Sequence, residues 1–111
     1  MKKMLRLLVG SFVLLVSGTT FSLPYTQDIG KIQKLFVSAD GSVAFTLSSG
    51  FKNAIADNQC PAAKDYAGLL STADPIIKST ILAAKAAQQT ITVTIIGCHV
   101  GWFKIADVYI D

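Results

Sequence analysis

Two segments of this chain alternate apolar and polar residues with the period of a β-strand. They span residues 42–47 and 90–96. Their apolar positions are Val43, Phe45, Leu47, Ile91, Val93 and Ile95. A period of two is typical of a strand that has one face in a core. We therefore predict two strands here, with the three C-terminal apolar residues in the core and with Thr92 and Thr94 facing outward or toward a partner.

A hairpin and a helix are predicted beside these strands. Residues 31–37 are rich in β-branched and aromatic side chains and favour a strand, which Asp40-Gly41 would connect to residues 42–47 through a tight turn. Asp74-Pro75 is a typical helix start, because Asp can accept from free N–H groups and Pro needs no N–H at the first helical position. We predict a helix over residues 75–88, with apolar residues at helical spacing along one face.

Weaker patterns complete the chain. Residues 65–70 predict a short third strand, and residues 102–110 predict a last strand whose apolar residues change face partway along, which indicates a bend or bulge. Residues 23–30 are expected to be a lead-in segment, and residues 48–64 are expected to be irregular. The resulting fold class is α+β, mainly β: a small five-stranded OB-like barrel with one helix between strands three and four.

The N-terminus has the layout of a secretory signal peptide. Three basic residues lie among the first six, an apolar stretch covers residues 7–16, and small and polar residues follow. We predict cleavage after Ser22, with cleavage after Gly18 and an uncleaved N-terminal anchor as alternatives. The expected product is one secreted or periplasmic domain, residues 23–111, with no membrane segment after signal cleavage.

Cleavage changes the charge of the protein. The full chain carries a net charge of +3, but Lys2, Lys3 and Arg6 belong to the signal. The remaining part has seven Lys and seven Asp residues, so its net charge is zero. Since proteins that bind nucleic acid rely on a basic surface, we expect no nucleic-acid partner.

The two cysteines of the chain, Cys60 and Cys98, both remain after cleavage. A pair of cysteines in a small exported domain favours one disulfide, and two free buried thiols are the alternative. The cysteines are 38 positions apart, so a bond between them would contribute about 4 kcal/mol through loop closure. His99 follows Cys98, but these residues supply three metal ligands at best, without the usual paired spacing. We predict neither a metal nor another cofactor.

Catalytic signatures are missing from the sequence. His99 is the single histidine, and the chain has no glutamate. A catalytic triad needs a base held by an acid and aimed at a nucleophile, and no spacing among the Ser and Asp residues selects such a set. We therefore expect that the protein is not an enzyme.

The C-terminal half resembles a known group of proteins. The relevant segments are residues 66–87, 90–98 and 101–110, which contain an Ala-Ala-Lys-Ala helix end, a Val/Thr strand followed by Gly-Cys, and a closing Lys-Ile strand. They resemble small secreted bacterial proteins, mostly uncharacterised. The layout of that group is similar to the OB-fold B subunits of bacterial toxins of the cholera and subtilase-cytotoxin kinds, which form pentamers and bind host glycans. No sugar-binding motif of these subunits transfers residue by residue.

The resemblance implies a secreted, non-enzymatic binding module that takes a glycan, similar to a toxin B subunit and forming a homo-oligomer. The alternative is a periplasmic accessory or inhibitor protein that binds another protein. We predict that Trp102, Phe103 and Tyr66 contact the ligand, because aromatic rings stack on sugars. In the other interpretation, Trp102 is a partly buried residue at the end of the barrel.

Overall fold

Five strands and two helices are present in residues 24–111, the part of the chain that the computed structural model describes. The strands are β1 (Thr26–Val37), β2 (Val43–Leu47), β3 (Ala67–Leu69), β4 (Thr90–His99) and β5 (Trp102–Ile110), and the helices are α1 (Lys52–Ala56) and α2 (Pro75–Ala87). The prediction of an α+β domain that is mainly β is confirmed, with α2 between the third and fourth strands. The predicted signal peptide, residues 1–22, lies outside the described residues.

Hydrogen-bond pairing closes the five strands of this mixed sheet into a ring. β1 pairs antiparallel with both β2 and β4, β2 with β3, and β4 with β5. The ring closes where β3 pairs parallel with β5. The strand order is therefore β1-β2-β3-β5-β4, returning to β1, and one face of the sheet surrounds the core.

β1 begins earlier than predicted, because residues 26–30 belong to the strand and not to a lead-in segment. They pair with β4, and the second half of β1 pairs with β2 after a register shift between Ile32 and Leu35. The inward positions of the first half are Thr26 and Asp28, which are 5 % and 4 % exposed. Because these buried residues are polar, the apolar alternation that marks a strand is missing there.

The change of face predicted in the last strand is confirmed as an irregularity of β5. Thr94 pairs with Asp107, whereas the next residue, Ile95, pairs with Ile105, so that β5 has one extra residue at this point. A second shift follows on β4 near Gly97, whose φ is 74°. β4 continues to His99, three residues beyond the predicted strand, and so the turn to β5 consists of two residues, Val100 and Gly101.

Helix α1 lies in the segment that was predicted to be irregular. It has five residues, and no side chain caps it locally. The carboxylate of Asp28 on β1 accepts hydrogen bonds from the backbone N–H groups of Asn53 (2.9 Å) and Ala54 (3.0 Å). This tertiary contact satisfies N–H groups that a short helix leaves free. A sequence pattern limited to residues 48–64 contains no sign of it.

The core fills the space inside the ring. Ile91, Val93 and Ile95 are completely buried, as predicted, while Thr92 is half-buried. Thr94 lies on the outer face but is covered, and its Oγ1 accepts a hydrogen bond from Gln27 Nε2 at 3.0 Å. Three phenylalanines from different parts of the chain form a row of ring contacts. The ring centroids are 6.1 Å apart for Phe45 and Phe51, and 5.7 Å apart for Phe51 and Phe103. α2 adds Ile81 and Ala84 to the core.

The predicted disulfide between Cys60 and Cys98 is present, with an S–S distance of 2.00 Å. It connects the segment after α1 to the end of β4. Residues 24–111 contain no cluster of His, Cys, Asp and Glu side chains that could hold a metal ion. None of the helices in the same range is both long and apolar enough to cross a membrane.

Candidate functional site

The β1–β2 turn and the β4–β5 turn border one cleft, with a volume of about 450 Å³. The β1–β2 turn contributes Asp40 and Ser42, and the β4–β5 turn contributes residues 99–102. Leu70 and Ser71, which follow β3, form the third side. Segments that are far apart in the sequence therefore meet at this end of the ring.

Hydrogen bonds fix the β1–β2 turn in one conformation. Asp40 Oδ1 accepts from the backbone N–H of Ser42 (2.9 Å) and from its hydroxyl (2.6 Å). These two bonds stabilise the charged form and hold the pKa of Asp40 below its usual value. Gly41 has a φ of 95°, as the Asp-Gly pattern predicted for a tight turn. The cleft thus contains an ionised carboxylate that is ordered before any ligand binds.

The β4–β5 turn places a neutral imidazole and a strained residue at the cleft. His99 pairs with Trp102, and Val100-Gly101 form the turn between them. Burial lowers the pKa of His99, and the positive charge of Lys104 lowers it further, so the neutral ring can both donate and accept a hydrogen bond near pH 7. Val100 has a φ of 51°, which a β-branched residue rarely adopts, and its side chain is 97 % exposed.

The third side of the cleft is attached to helix α2. Lys78 Nζ donates a hydrogen bond to the carbonyl of Ser71 at 2.9 Å. Asp74 caps the same helix by accepting from the N–H of Ile76 at 2.9 Å, which confirms the predicted helix start. The position of the segment after β3 is therefore tied to a regular element of the fold.

The indole of Trp102 covers the outer face of β3. A Cβ atom at Gly68 would lie only 2.5 Å from Trp102 Cε3, so the ring occupies the space that a side chain at this position would need. Phe36 of β1 contacts the indole edge to face, with ring centroids 6.0 Å apart at 70°. Trp102 is half-buried and separates the cleft from a second depression of about 230 Å³, which Phe36 and Tyr66 also line.

The structure brings together two of the three predicted ligand-contacting residues. Trp102 and Tyr66 both line the second depression. The prediction that Phe103 contacts the ligand is corrected, because this residue is 0 % exposed and packs on Phe51 in the core. Neither Asp40 nor His99 was predicted to contact the ligand, because the closure of the ring that brings their turns together is not visible in either segment.

The polar groups that line the cleft can each form hydrogen bonds with a bound molecule. A serine nucleophile would need a base as the acceptor of its hydroxyl proton, ordinarily an imidazole. The hydroxyl of Ser42 donates to Asp40 instead. What the cleft offers is an ordered carboxylate, an imidazole and an indole around a partly apolar space.

No protein-family model, curated protein or solved structure matches this chain.

Proposed function

We propose that this protein is an exported, non-enzymatic binding module of the OB type, and that it holds a glycan in the cleft between the β1–β2 and β4–β5 turns. The strand order supports the OB assignment, together with the helix between β3 and β4. OB folds bind oligosaccharides and oligonucleotides through the loops between strands 1 and 2 and between strands 4 and 5, and on the face of strands 2 and 3. The cleft lies between these same two loops.

The observation that carries the glycan proposal is the position of Trp102 beside fixed polar groups. A sugar ring has an apolar C–H face and a polar edge of hydroxyl groups. Trp102 can pack against the first, while the Asp40 carboxylate accepts hydrogen bonds from the second and His99 donates or accepts. The volume of about 450 Å³ lies within the range of roughly 300–1,000 Å³ that is common for small-ligand sites.

Export and a toxin B-subunit-like organisation belong to the same proposal. The Cys60–Cys98 disulfide supports export, because such bonds persist in oxidising compartments outside the cytosol. Residues 66–110 resemble small secreted bacterial proteins whose layout is similar to that of toxin B subunits, and this resemblance supports a homo-oligomer with one cleft on each subunit. Repeated weak sites would then bind a glycan-covered surface with raised overall affinity.

A second candidate is a periplasmic accessory or inhibitor protein that binds another protein. The apolar rim of the cleft favours this function, because both of its aliphatic residues, Val100 and Leu70, are exposed. Isolated exposed apolar residues are ordinary, but a group around one cleft is typical of a contact surface. A protein ligand would depend on these aliphatic side chains, whereas a glycan would depend on Trp102 and Asp40.

A glycan array that uses the exported protein tests the proposal. We expect binding to a defined set of glycans, which Trp102→Ala and Asp40→Asn abolish or weaken at least tenfold. Tyr109→Ala is the matched control, because Tyr109 is an exposed aromatic residue that lines a separate depression with Tyr25. Circular dichroism verifies that each variant is folded. An array without binding, or binding that Tyr109→Ala reduces as much as Trp102→Ala does, would refute the assignment.

A further inference from the structure

Two further depressions follow the cleft along the outer face of the sheet. It shares Trp102 with the second depression, and that depression shares Tyr66 with a third of about 280 Å³. The third depression lies over β1, β2 and the segment before β3, and Lys34 and Lys64 are among its lining residues. Three neighbouring spaces thus form one track, with an aromatic side chain at each junction.

Aromatic rings cover small residues in the middle of this track. Phe36, Ala44 and Gly68 lie side by side on β1, β2 and β3, in register across the three strands. Because Val43 and Phe45 point into the core, Ala44 faces outward, and it is nevertheless completely covered by its neighbours. The surface of the track in its middle part therefore consists of the rings of Phe36, Trp102 and Tyr66, against which a chain of sugar rings can pack.

The two ends of the track differ in charge. At the cleft end, the ionised Asp40 carboxylate is balanced by the Lys78 ammonium, which donates to the Ser71 carbonyl at 2.9 Å and lies beside Gly41. The other end contains two ammonium groups, of Lys34 on β1 and Lys64 ahead of β3, against a single carboxylate, Asp65. The Thr46 hydroxyl beside them accepts a hydrogen bond from the backbone N–H of Lys34 at 3.1 Å, which fixes the strand at this point.

We propose that the ligand is a linear acidic oligosaccharide that lies along this track in one direction. Its uncharged end occupies the cleft beside Asp40, its middle crosses Trp102 and Tyr66, and a carboxylate or sulfate group binds between Lys34 and Lys64. This inference rests on the proposed glycan-binding function and specifies its ligand. A uniformly charged polyanion such as single-stranded DNA fits less well, since it would place a phosphate at the Asp40 carboxylate.

The test uses matched pairs of linear oligosaccharides on an array, identical except that one member of each pair carries a uronic acid or a sulfated sugar at one end. Affinities of the bound pairs are then measured by titration of the tryptophan fluorescence. We expect the acidic member to bind about tenfold more tightly, the effect of one additional charge-assisted hydrogen bond. Lys34→Gln combined with Lys64→Gln should remove that preference, so that both members of a pair bind with equal affinity, while Lys85→Gln on α2 should leave the preference intact.

The outcomes distinguish a failure of the proposed track from a failure of the glycan-binding function. Equal affinity for both members of a pair, or an acidic preference that survives the lysine substitutions, would overturn the track while glycan binding stands. Binding to no glycan at all would overturn the proposed function itself, and tighter binding of an oligothymidylate than of every acidic glycan would replace the ligand class. Tyr66→Ala supplies an independent readout: it should weaken binding of a tetrasaccharide at least fivefold and leave a monosaccharide unaffected, and equal effects on both would contradict the track.

Discussion

Val100 is the position where a substitution should stabilise the protein. Its backbone lies in the left-handed region, with a φ of 51°, where the two γ-methyl groups of valine crowd the neighbouring carbonyl. This conformation costs about 1–2 kcal/mol for a residue with a Cβ atom, and more for a β-branched one. The side chain is 97 % exposed, so it recovers almost none of that cost through burial.

Two replacements measure this strain. Val100→Asn keeps a side chain but tolerates the left-handed region, and we expect a gain of about 1 kcal/mol. Val100→Gly removes the strain completely but adds entropy to the unfolded chain, about 0.5–1 kcal/mol, so its gain should be smaller. A change of 1 kcal/mol corresponds to a rise in Tm of about 4–8 °C for a domain of this size.

Thermal unfolding followed by circular dichroism at pH 7 is the assay. Val37→Asn is the matched control, since Val37 is also an exposed valine but lies in β1, where its φ is not positive. We expect this control to lower Tm, because asparagine is disfavoured in strands. If both Val100 variants melt at or below the Tm of the unmodified protein, the argument from backbone strain is wrong.

Three further predictions concern the core, the disulfide and pH. Val93→Asp should unfold the domain, because it buries an unpaired charge, whereas Thr92→Val should cost about 1 kcal/mol at most by removing the hydrogen bond to Asp111; equal urea midpoints would contradict the burial of β4. Cys60→Ser should lower the free energy of unfolding by about 2–4 kcal/mol, and two titratable thiols in the native protein would refute the disulfide. Burial raises the pKa of Asp28 above 3.8, so the native state binds a proton more tightly than the unfolded chain does. The contribution of Asp28 to stability should therefore rise as the pH falls from neutral toward 4. Asp28→Asn should remove this part of the pH dependence in urea titrations, and an unchanged dependence would exclude Asp28 as its source.

Local sequence patterns predicted the elements that have a regular apolar period or a recognisable start. β2, β4 and α2 have clean apolar periodicity or a helix start, and each forms within two or three residues of the expected bounds. By contrast, α1 depends on the Asp28 carboxylate, which approaches it from another part of the chain. Its own residues, 52–56, contain no comparable signal.

The aromatic residues of the site show how much a strand pattern can decide. Trp102 and Phe103 are neighbours on β5, and successive side chains of a strand point to opposite faces. Both could not line one surface, and the apolar alternation of Phe103 with Ile105 already favoured the core for Phe103. The position of Trp102 on the outer face depends on Gly68, which leaves space for the indole. Gly68 lies on another strand, 34 positions away in the chain.

The shape of the cleft depends on the short pairing of β3 with β5, which closes the ring. Only two residue pairs join these strands, Ala67 with Phe103 and Gly68 with Lys104. Trp102 immediately precedes this contact and packs over it, and Cys60 is linked to the adjacent end of β4. The indole and the disulfide therefore hold the ring closed at its shortest pairing, where the three sides of the cleft meet. It follows that the residues that complete the fold here are also the ones that shape the proposed binding surface, so that ligand binding and stability should be measured together in every variant at this end of the molecule.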